Sequence, residues 1–278
     1  MRLCVGVVCV GTGGWAPGTL SKFGCIARYS LRDDVLPVFT TKRVFWRGVV
    51  EELIWTIAGK TDSKELSAKG VKIWDANGTK EFLGSIGQGD REAGDLGPIY
   101  GWQWRAFGAP YTDCRTPPDG KGVDQLLEVI ALIKNNPDSR RILLSAWNPC
   151  DLKRMALPPC HVLCQFYVAN GALSCIMYQR SCDLGLGVPF NVSFYCLLTR
   201  LLAEVCGLRA HEFVHMMGDM HVYLNHVEAL KEQTARVPNA FPKLRLKRPI
   251  TDIAAWSFED LELTDYFPQA SIKMEMAV

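Results

Sequence analysis

The sequence predicts an α+β fold, a single domain in which one large mixed β-sheet is flanked by helices. Three observations carry that prediction. Two apolar, β-rich runs, His161–Ala169 and Ala172–Arg180, are joined at Asn170-Gly171, the two-residue turn whose backbone twist suits a hairpin. Phe45, Val49, Leu53 and Ile57 fall four apart, on one face of a helix. Asn191–Cys206 is apolar nearly all round, as a buried helix is, and Gly207 follows it as a terminator.

In chain order, Gly11–Gly18 is rich in glycine and proline. Residues 1–17 are therefore expected to form an atypical, flexible segment ahead of a catalytic domain spanning 18–278. The Phe45–Ile57 helix stops at Gly59 and carries Glu51 and Glu52. Cys114–Gly122 reads as a surface loop. A helix from Asp124 to Lys134 is expected to bury Leu127, Ile130 and Ile133 and to end before Pro137. Arg141–Trp147 reads as a strand. Both hairpin strands are apolar at most positions, which predicts a sheet covered on both sides. Shorter strands are expected near Phe213–Met217, Leu244–Lys247 and Ser271–Met276.

The 278 residues are 48% hydrophobic, ample for a well-buried core. Thirty-one basic residues against 29 acidic ones leave a net charge of +2 and no broad basic face, so the charge balance does not point to nucleic acid, RNA included. Eleven cysteines without a C-x-x-C pair argue against a disulfide framework. A reducing compartment is expected, the cytoplasm first, with nucleus or mitochondrion as alternatives. Met1–Val10 lacks the small-residue cleavage site of a signal peptide. The longest apolar stretch, Phe190–Leu208, is interrupted by Asn191, Arg200 and Glu204, and no membrane partner is expected.

Pro158-Pro159-Cys160-His161 places a thiol at the mouth of a strand, after a proline-stiffened turn that can hold the sulfur toward a cleft. Cys160 is either a nucleophile or one more structural cysteine, and a nearby cation would tip the balance. Folding back at Asn170-Gly171 brings Arg180 close to it, where a guanidinium favours the thiolate. Arg180-Ser181-Cys182-Asp183 sets an arginine beside a hydroxyl, which suits a phosphate, and Arg140-Arg141 adds a second guanidinium pair. On its own that pair equally suits a solvated loop. His221 and Tyr223 suit sugar hydroxyls or a buried hydrogen-bonded pair, and Glu52 fits a solvated helix face as well as a cleft.

Read together, these segments resemble the thymidylate synthase family from Gly18 to Val278. The landmarks are Thr40-Thr41-Lys42-Arg43, Glu52-Leu53-Ile54-Trp55, Ile73-Trp74-Asp75, Gly97-Pro98-Ile99-Tyr100-Gly101, Arg140-Arg141, Pro158-Pro159-Cys160-His161, Gln179-Arg180-Ser181-Cys182-Asp183, Pro189-Phe190-Asn191 and His221-Val222-Tyr223-Leu224-Asn225-His226. The resemblance implies that family's fold and the reductive methylation of dUMP to dTMP, with 5,10-methylenetetrahydrofolate as carbon donor and reductant and dihydrofolate as product. It implies neither metal nor nicotinamide. Cys160 would be the nucleophile, with Glu52, Tyr100, Asn191 and His161 as the other catalytic positions. Arg180, Ser181, Cys182, Asp183, Asn191, His221 and Tyr223 would bind dUMP, joined by Arg140 and Arg141 from the other subunit of a homodimer. Ile73, Trp74, Asn77, Asp183, Leu186, Gly187, Phe190 and Ala277 would form the folate side, under a closing tail from Lys273 to Val278.

The departure lies ahead of Gly18, where Gly11–Pro17 carries no basic residue and Gly14 stands at the position of a family arginine. Weaker dUMP binding is the expectation. Two alternatives remain at this level. A pyrimidine hydroxymethylase shares the thiol addition, but the carboxamide of Asn191 matches uracil and not cytosine. An inactive homologue that binds dUMP or RNA is the other, against which Cys160, Glu52 and Asn191 weigh.

Overall fold

In the computed structural model, residues 8–9 and 18–276 are described. The elements are β1 (Val8–Cys9), β2 (Thr19–Ser30), α1 (Trp46–Ile57), α2 (Ser63–Ala68), α3 (Lys80–Ser85), α4 (Tyr100–Ala106), α5 (Gln125–Asn135), β3 (Leu143–Ser145), β4 (His161–Ala169), β5 (Ala172–Asp183), α6 (Gly187–Val205), β6 (Arg209–Tyr223), α7 (Val227–Ala235), β7 (Lys243–Leu246) and β8 (Leu261–Thr264). Six strands form one mixed sheet in the order β1-β2-β6-β5-β4-β3, and β7 pairs with β8 in a separate ribbon. The fold is α+β with a large mixed sheet flanked by helices, as predicted.

The hairpin forms where its turn places it, with Ala169 opposite Ala172 and both Asn170 and Gly171 in the left-handed region. β5 and β6 are the parallel pair, and α6 makes the crossover between them that parallel strands require. α6 is long and apolar enough to cross a membrane by length and composition, yet most of it is buried inside the protein. Val192, Leu197, Leu198, Leu201 and Leu202 are wholly enclosed there, with Cys164, Phe166, Leu173, Cys175, Met177 and Phe213 of the sheet in the same core. Gly207 ends the helix at positive φ, and the Leu208 N–H reaches back to the Ala203 carbonyl at 2.8 Å. Gly59 closes α1 in the same way, with Lys60 N–H to the Trp55 carbonyl at 3.1 Å.

Several expectations need correction. Phe45 precedes the first turn of α1 and is half exposed, while Val49, Leu53 and Ile57 are buried as predicted. In α5 the buried stripe is Leu126, Val129, Ile130 and Ile133, which leaves Leu127 outside at 51% exposure. Asp124 caps that helix by accepting the Leu127 N–H, turning the start of the helix so that Leu127 faces water. Ser271–Met276 is not a strand: among the described residues it joins no ladder, and β7 takes β8 as its partner.

The expectation of a sheet covered on both sides also fails within this chain. Cys164 and Phe166 face the core, whereas Leu163 and Tyr167, one position out of phase, lie open, Tyr167 at 67% exposure. On β2, Ile26 is 62% exposed between Cys25 and Ala27, which pack inward. A hollow of about 970 Å³ lies at one end of this face, edged by Arg28, Tyr167, Ser174 and His211.

Candidate active site

β4 starts immediately after the Pro158-Pro159-Cys160 turn, and β5 returns beside it until the Arg180 N–H meets the Cys160 carbonyl at 2.9 Å. The hairpin thus delivers Arg180 to Cys160 as its turn predicts. Arg180 Nε donates to the Pro159 carbonyl at 2.9 Å and Nη2 to the Pro158 carbonyl at 2.8 Å, with Nη2 standing 4.0 Å from Cys160 Sγ. Its guanidinium also covers the ring of Trp147, 5.6 Å from the centroid, so the cation is held in one place.

Cys160 donates its backbone N–H to Tyr100 Oη at 2.7 Å, which ties the turn to α4. The Ser181 hydroxyl and the Tyr100 phenol both reach the sulfur and, with Arg180, favour the thiolate. Burial outweighs all three and pushes the thiol above the ordinary cysteine value. Arg180 acts in the predicted direction but does not decide the resting protonation state.

α1 presents two adjacent glutamates to different neighbours. Glu51 pairs with Lys69 at 2.7 Å, while Glu52 turns toward Tyr100 and accepts from Trp74 Nε1–H at 2.7 Å. Burial raises the Glu52 carboxyl to about 7, against the hydrogen bond from Trp74, although part of the side chain still faces solvent. Tyr100 lies well above the ordinary phenol value, first through burial and then through the neighbouring Cys160, so it keeps its proton at neutral pH.

Asn191, in the first turns of α6, is oriented from below. Gln179 Nε2 donates to the Ser181 carbonyl and to Asn191 Oδ1, both at 2.9 Å. Gln179 Oε1 is left to face His215 Nε2 at 2.8 Å, and because an amide oxygen only accepts, that nitrogen carries the proton. Burial holds His215 at about 4 and thus neutral. His161 is held at about 3 by burial and then by His215, while its hydrogen bond to Asn191 opposes the shift. Gln179 and His161 both engage the Asn191 side chain, which fixes the plane of its carboxamide. His215 escaped the reading of the sequence and Gln179 was given no role in it, though the alternation of β5 and β6 places both on inward positions.

Asp183 sits opposite His221 across the parallel pair of β5 and β6. Its carboxylate accepts from Gly185, Leu186 and Gly187 N–H at 2.8, 3.0 and 3.2 Å. His221 Nδ1 lies 3.3 Å from the Asp219 carbonyl, and the ring of Tyr223 stands edge-on to His221 at 5.2 Å. Trp74 touches Glu52, with Ile73 and Asn77 near it in the chain, and Leu186, Gly187 and Phe190 lie at the start of α6 near Asn191. Ile73 and Phe190 are each half-buried against the core with an open side left over.

Three of the expected positions do not join this cluster. Cys182 is fully buried, its thiol 3.4 Å from the Gln179 carbonyl and pushed up to about 12 by burial, so it offers only its backbone. Arg140 and Arg141 are exposed just ahead of the edge strand β3, at the level of Gln165, roughly 15 Å along the strand from Cys160. Ala277, and Gly14 with the first segment apart from residues 8–9, lie outside the described residues. Among the described residues no group of three or more His, Cys, Asp or Glu side chains could hold a metal ion.

A family model described as thymidylate synthase matches residues 12–278. The thymidylate synthase of Equine herpesvirus 2 (strain 86/87) is 61% identical over 261 residues, 94% of this chain and 90% of its own length. That of Homo sapiens is 60% identical over the same share of this chain and 83% of its own. A bifunctional dihydrofolate reductase-thymidylate synthase of Zea mays is 58% identical over 94% of this chain, which matches 50% of that longer protein. The chain belongs to the thymidylate synthase family.

Proposed function

We propose that this chain catalyses the reductive methylation of dUMP to dTMP through a covalent adduct on Cys160. The observation that carries this is the convergence of Arg180, Ser181 and Tyr100 on one thiol, with Glu52 and Asn191 alongside. Dihydrofolate formation by the purified chain, supplied with dUMP and methylenetetrahydrofolate, tests it; no absorbance change would count against it.

The Cys160 thiolate adds to carbon 6 of the uracil ring, and the displaced electron pair makes carbon 5 nucleophilic and loads the 4-oxo group. Asn191 accepts from the ring N–H through Oδ1 and donates to that 4-oxo group through Nδ2, where charge develops. Tyr100 holds its proton, so it can take up the carbon 5 proton only while passing on its own. Glu52, with a value near 7, is suited to receive it. His161 stays neutral and braces Asn191. Arg180 and Ser181 hold the phosphate, with the backbone of Cys182 and Asp183 beside them, and His221 and Tyr223 hold the sugar. When bound, the folate supplies the one-carbon unit and the hydride. Ile73 and Phe190 offer half-buried apolar surface that suits its ring, with the buried Trp74 behind Glu52, and Asn77, Asp183, Leu186, Gly187 and Ala277 complete that side.

The open apolar face of the sheet and the exposed Arg140 and Arg141 support a homodimer in which each chain lends that pair to its partner's phosphate. Mixing Cys160→Ala chains with Arg141→Ala chains, each inactive alone, should restore turnover, since one of the two mixed sites carries neither lesion. No recovery after subunit exchange would place the whole site within one chain. A reducing compartment, the cytoplasm, suits the nine free cysteines among the described residues.

Asn191→Asp should weaken discrimination against dCMP, because the acid can donate to the cytosine ring nitrogen and accept from its amino group. Turnover of dUMP should fall by about 1–3 kcal/mol in transition-state free energy, the usual penalty for an unpaired buried group. The ratio of kcat/KM for the two nucleotides is the measurement, and an unchanged ratio removes Asn191 as the base reader.

A further inference from the structure

The last part of the chain lies beside this site with little to hold it. Residues 271–276 belong to no helix or strand. Just upstream, the Gln269 N–H donates to the Thr40 carbonyl at 2.8 Å and Arg236 Nη1 to the Ala270 carbonyl at 2.6 Å. Beyond Ala270, among the described residues, one conventional hydrogen bond fastens the tail, from His226 Nε2 to the Glu275 carbonyl at 2.7 Å. A carbonyl only accepts, so His226 carries its proton on Nε2.

The surroundings of His226 tie that bond to the site. The ring is 1% exposed and sits in the 3₁₀ turn Leu224–His226 that ends β6, directly after His221 and Tyr223. It meets the Tyr223 ring edge-on at 5.5 Å. Its Nδ1 is buried with no hydrogen-bond partner among the described residues, 3.9 Å from Asp183 Oδ1. Asp183 is in turn engaged by the loop that begins at Gly185, and a Cβ on Gly185 would fall 2.6 Å from His226 Nδ1 and 3.0 Å from Met274 Sδ. Loop, imidazole and tail are thus packed with no room for a side chain between them. The buried Lys42 joins the same contact, donating from Nζ to the Gly185 carbonyl and standing 3.9 Å from Met274 Sδ.

We propose that His226 is the latch of the C-terminal tail. It is a positioning residue whose Nε2–H, held on Glu275, keeps the tail against the loop after Asp183 and links its closure to the strand end bearing His221 and Tyr223. The proposal rests on the reading of the site given above, in which the folate lies beside Asp183. A lid that closes there excludes water and commits the ligands.

His226→Leu fills a similar volume without a donor, and His226→Gln restores a donor at similar reach. Hydrogen–deuterium exchange of a peptide covering the tail, measured without ligands, should rise about fivefold in the leucine variant, the worth of one neutral hydrogen bond, and return most of the way in the glutamine variant. The leucine variant should also raise the KM for methylenetetrahydrofolate about fivefold and lower kcat, with the dissociation constant for dUMP within twofold of the parent. If the leucine variant does not fold, His226→Asn, whose amide is too short to reach Glu275, replaces it. Tail exchange unchanged from the parent, a glutamine variant no better than leucine, or equal loss of dUMP affinity and melting temperature in both would overturn the latch. A parent chain without turnover would instead sink the functional reading, and the ligand-free exchange comparison would still decide the latch.

Discussion

Replacing Cys160 with serine is expected to abolish turnover, by about 10⁴-fold or more, while dUMP binding remains measurable. A serine hydroxyl at neutral pH is a far weaker nucleophile than a thiolate, and removing a nucleophile from a group that acts as a unit forfeits most of the catalysis that unit provides. The substitution leaves Arg180 anchored on the Pro158 and Pro159 carbonyls, so the phosphate contact survives. A fluorinated dUMP analogue with folate should form its adduct on Cys160 in the parent and on no residue in the serine variant. Retained activity, or an adduct on another cysteine, would remove Cys160 from its role.

The resting state of that thiol sharpens the same expectation. Because burial pushes it above the ordinary range, alkylation of the free protein by iodoacetamide should be slow at neutral pH and accelerate with pH, with a midpoint above that of an exposed cysteine. Arg180→Ala removes the cation that opposes the shift and should move the midpoint higher still.

Much of the site was legible because its positions follow from local rules. The Asn170-Gly171 turn sets the register of β4 and β5, and that register alone carries Arg180 back to Cys160. Gly59 and Gly207 mark real helix ends for the reason that makes glycine useful there, a backbone turn at positive φ. β2 escaped because Lys22, Gly24 and Arg28 break its apolar run, and its long pairing with β6 is a non-local contact that no window of sequence contains. α4 escaped for a different reason. Tyr100, Trp102 and Trp104 are buried on several sides, so no polar face marks its period.

The sheet's open face shows where pattern reading misleads. Apolar residues on both sides of a strand do predict burial on both sides, but burial by what is beyond the sequence of one chain to say. Tyr167 and Ile26 have the composition of core residues and the exposure of surface ones, a combination that monomeric proteins avoid over large areas. Polar relays are still harder to read. Gln179 and His215 are 36 residues apart, and only the pairing of β5 with β6 makes their amide and imidazole meet.

Glu52→Gln is expected to lower kcat by about 10²–10⁴-fold, the range for losing a general acid–base, with little change in dUMP affinity. The amide keeps an acceptor for Trp74 Nε1–H, so the geometry at Tyr100 should persist while the titrating proton is gone. In the parent, the limb of the kcat profile near pH 7 reports the Glu52 carboxyl, protonated below and ionised above; in the variant that limb should vanish. The same shift has a sign for stability. A carboxyl raised from its ordinary range to about 7 makes the folded state bind more protons than the unfolded one between those values, so its ionisation destabilises the fold as pH rises through that window. The full shift corresponds to about 3 kcal/mol, less to the extent that water reaches the partly exposed side chain. Glutamine has no such proton to lose. Melting temperatures of parent and variant should therefore coincide below the ordinary carboxylate value, near about pH 4, and separate as the pH rises to 8, with the variant the more stable. A variant that is less stable at pH 8 than the parent, or one that keeps the limb near pH 7, would mean that the carboxyl titrates in water and that another group manages the proton at carbon 5.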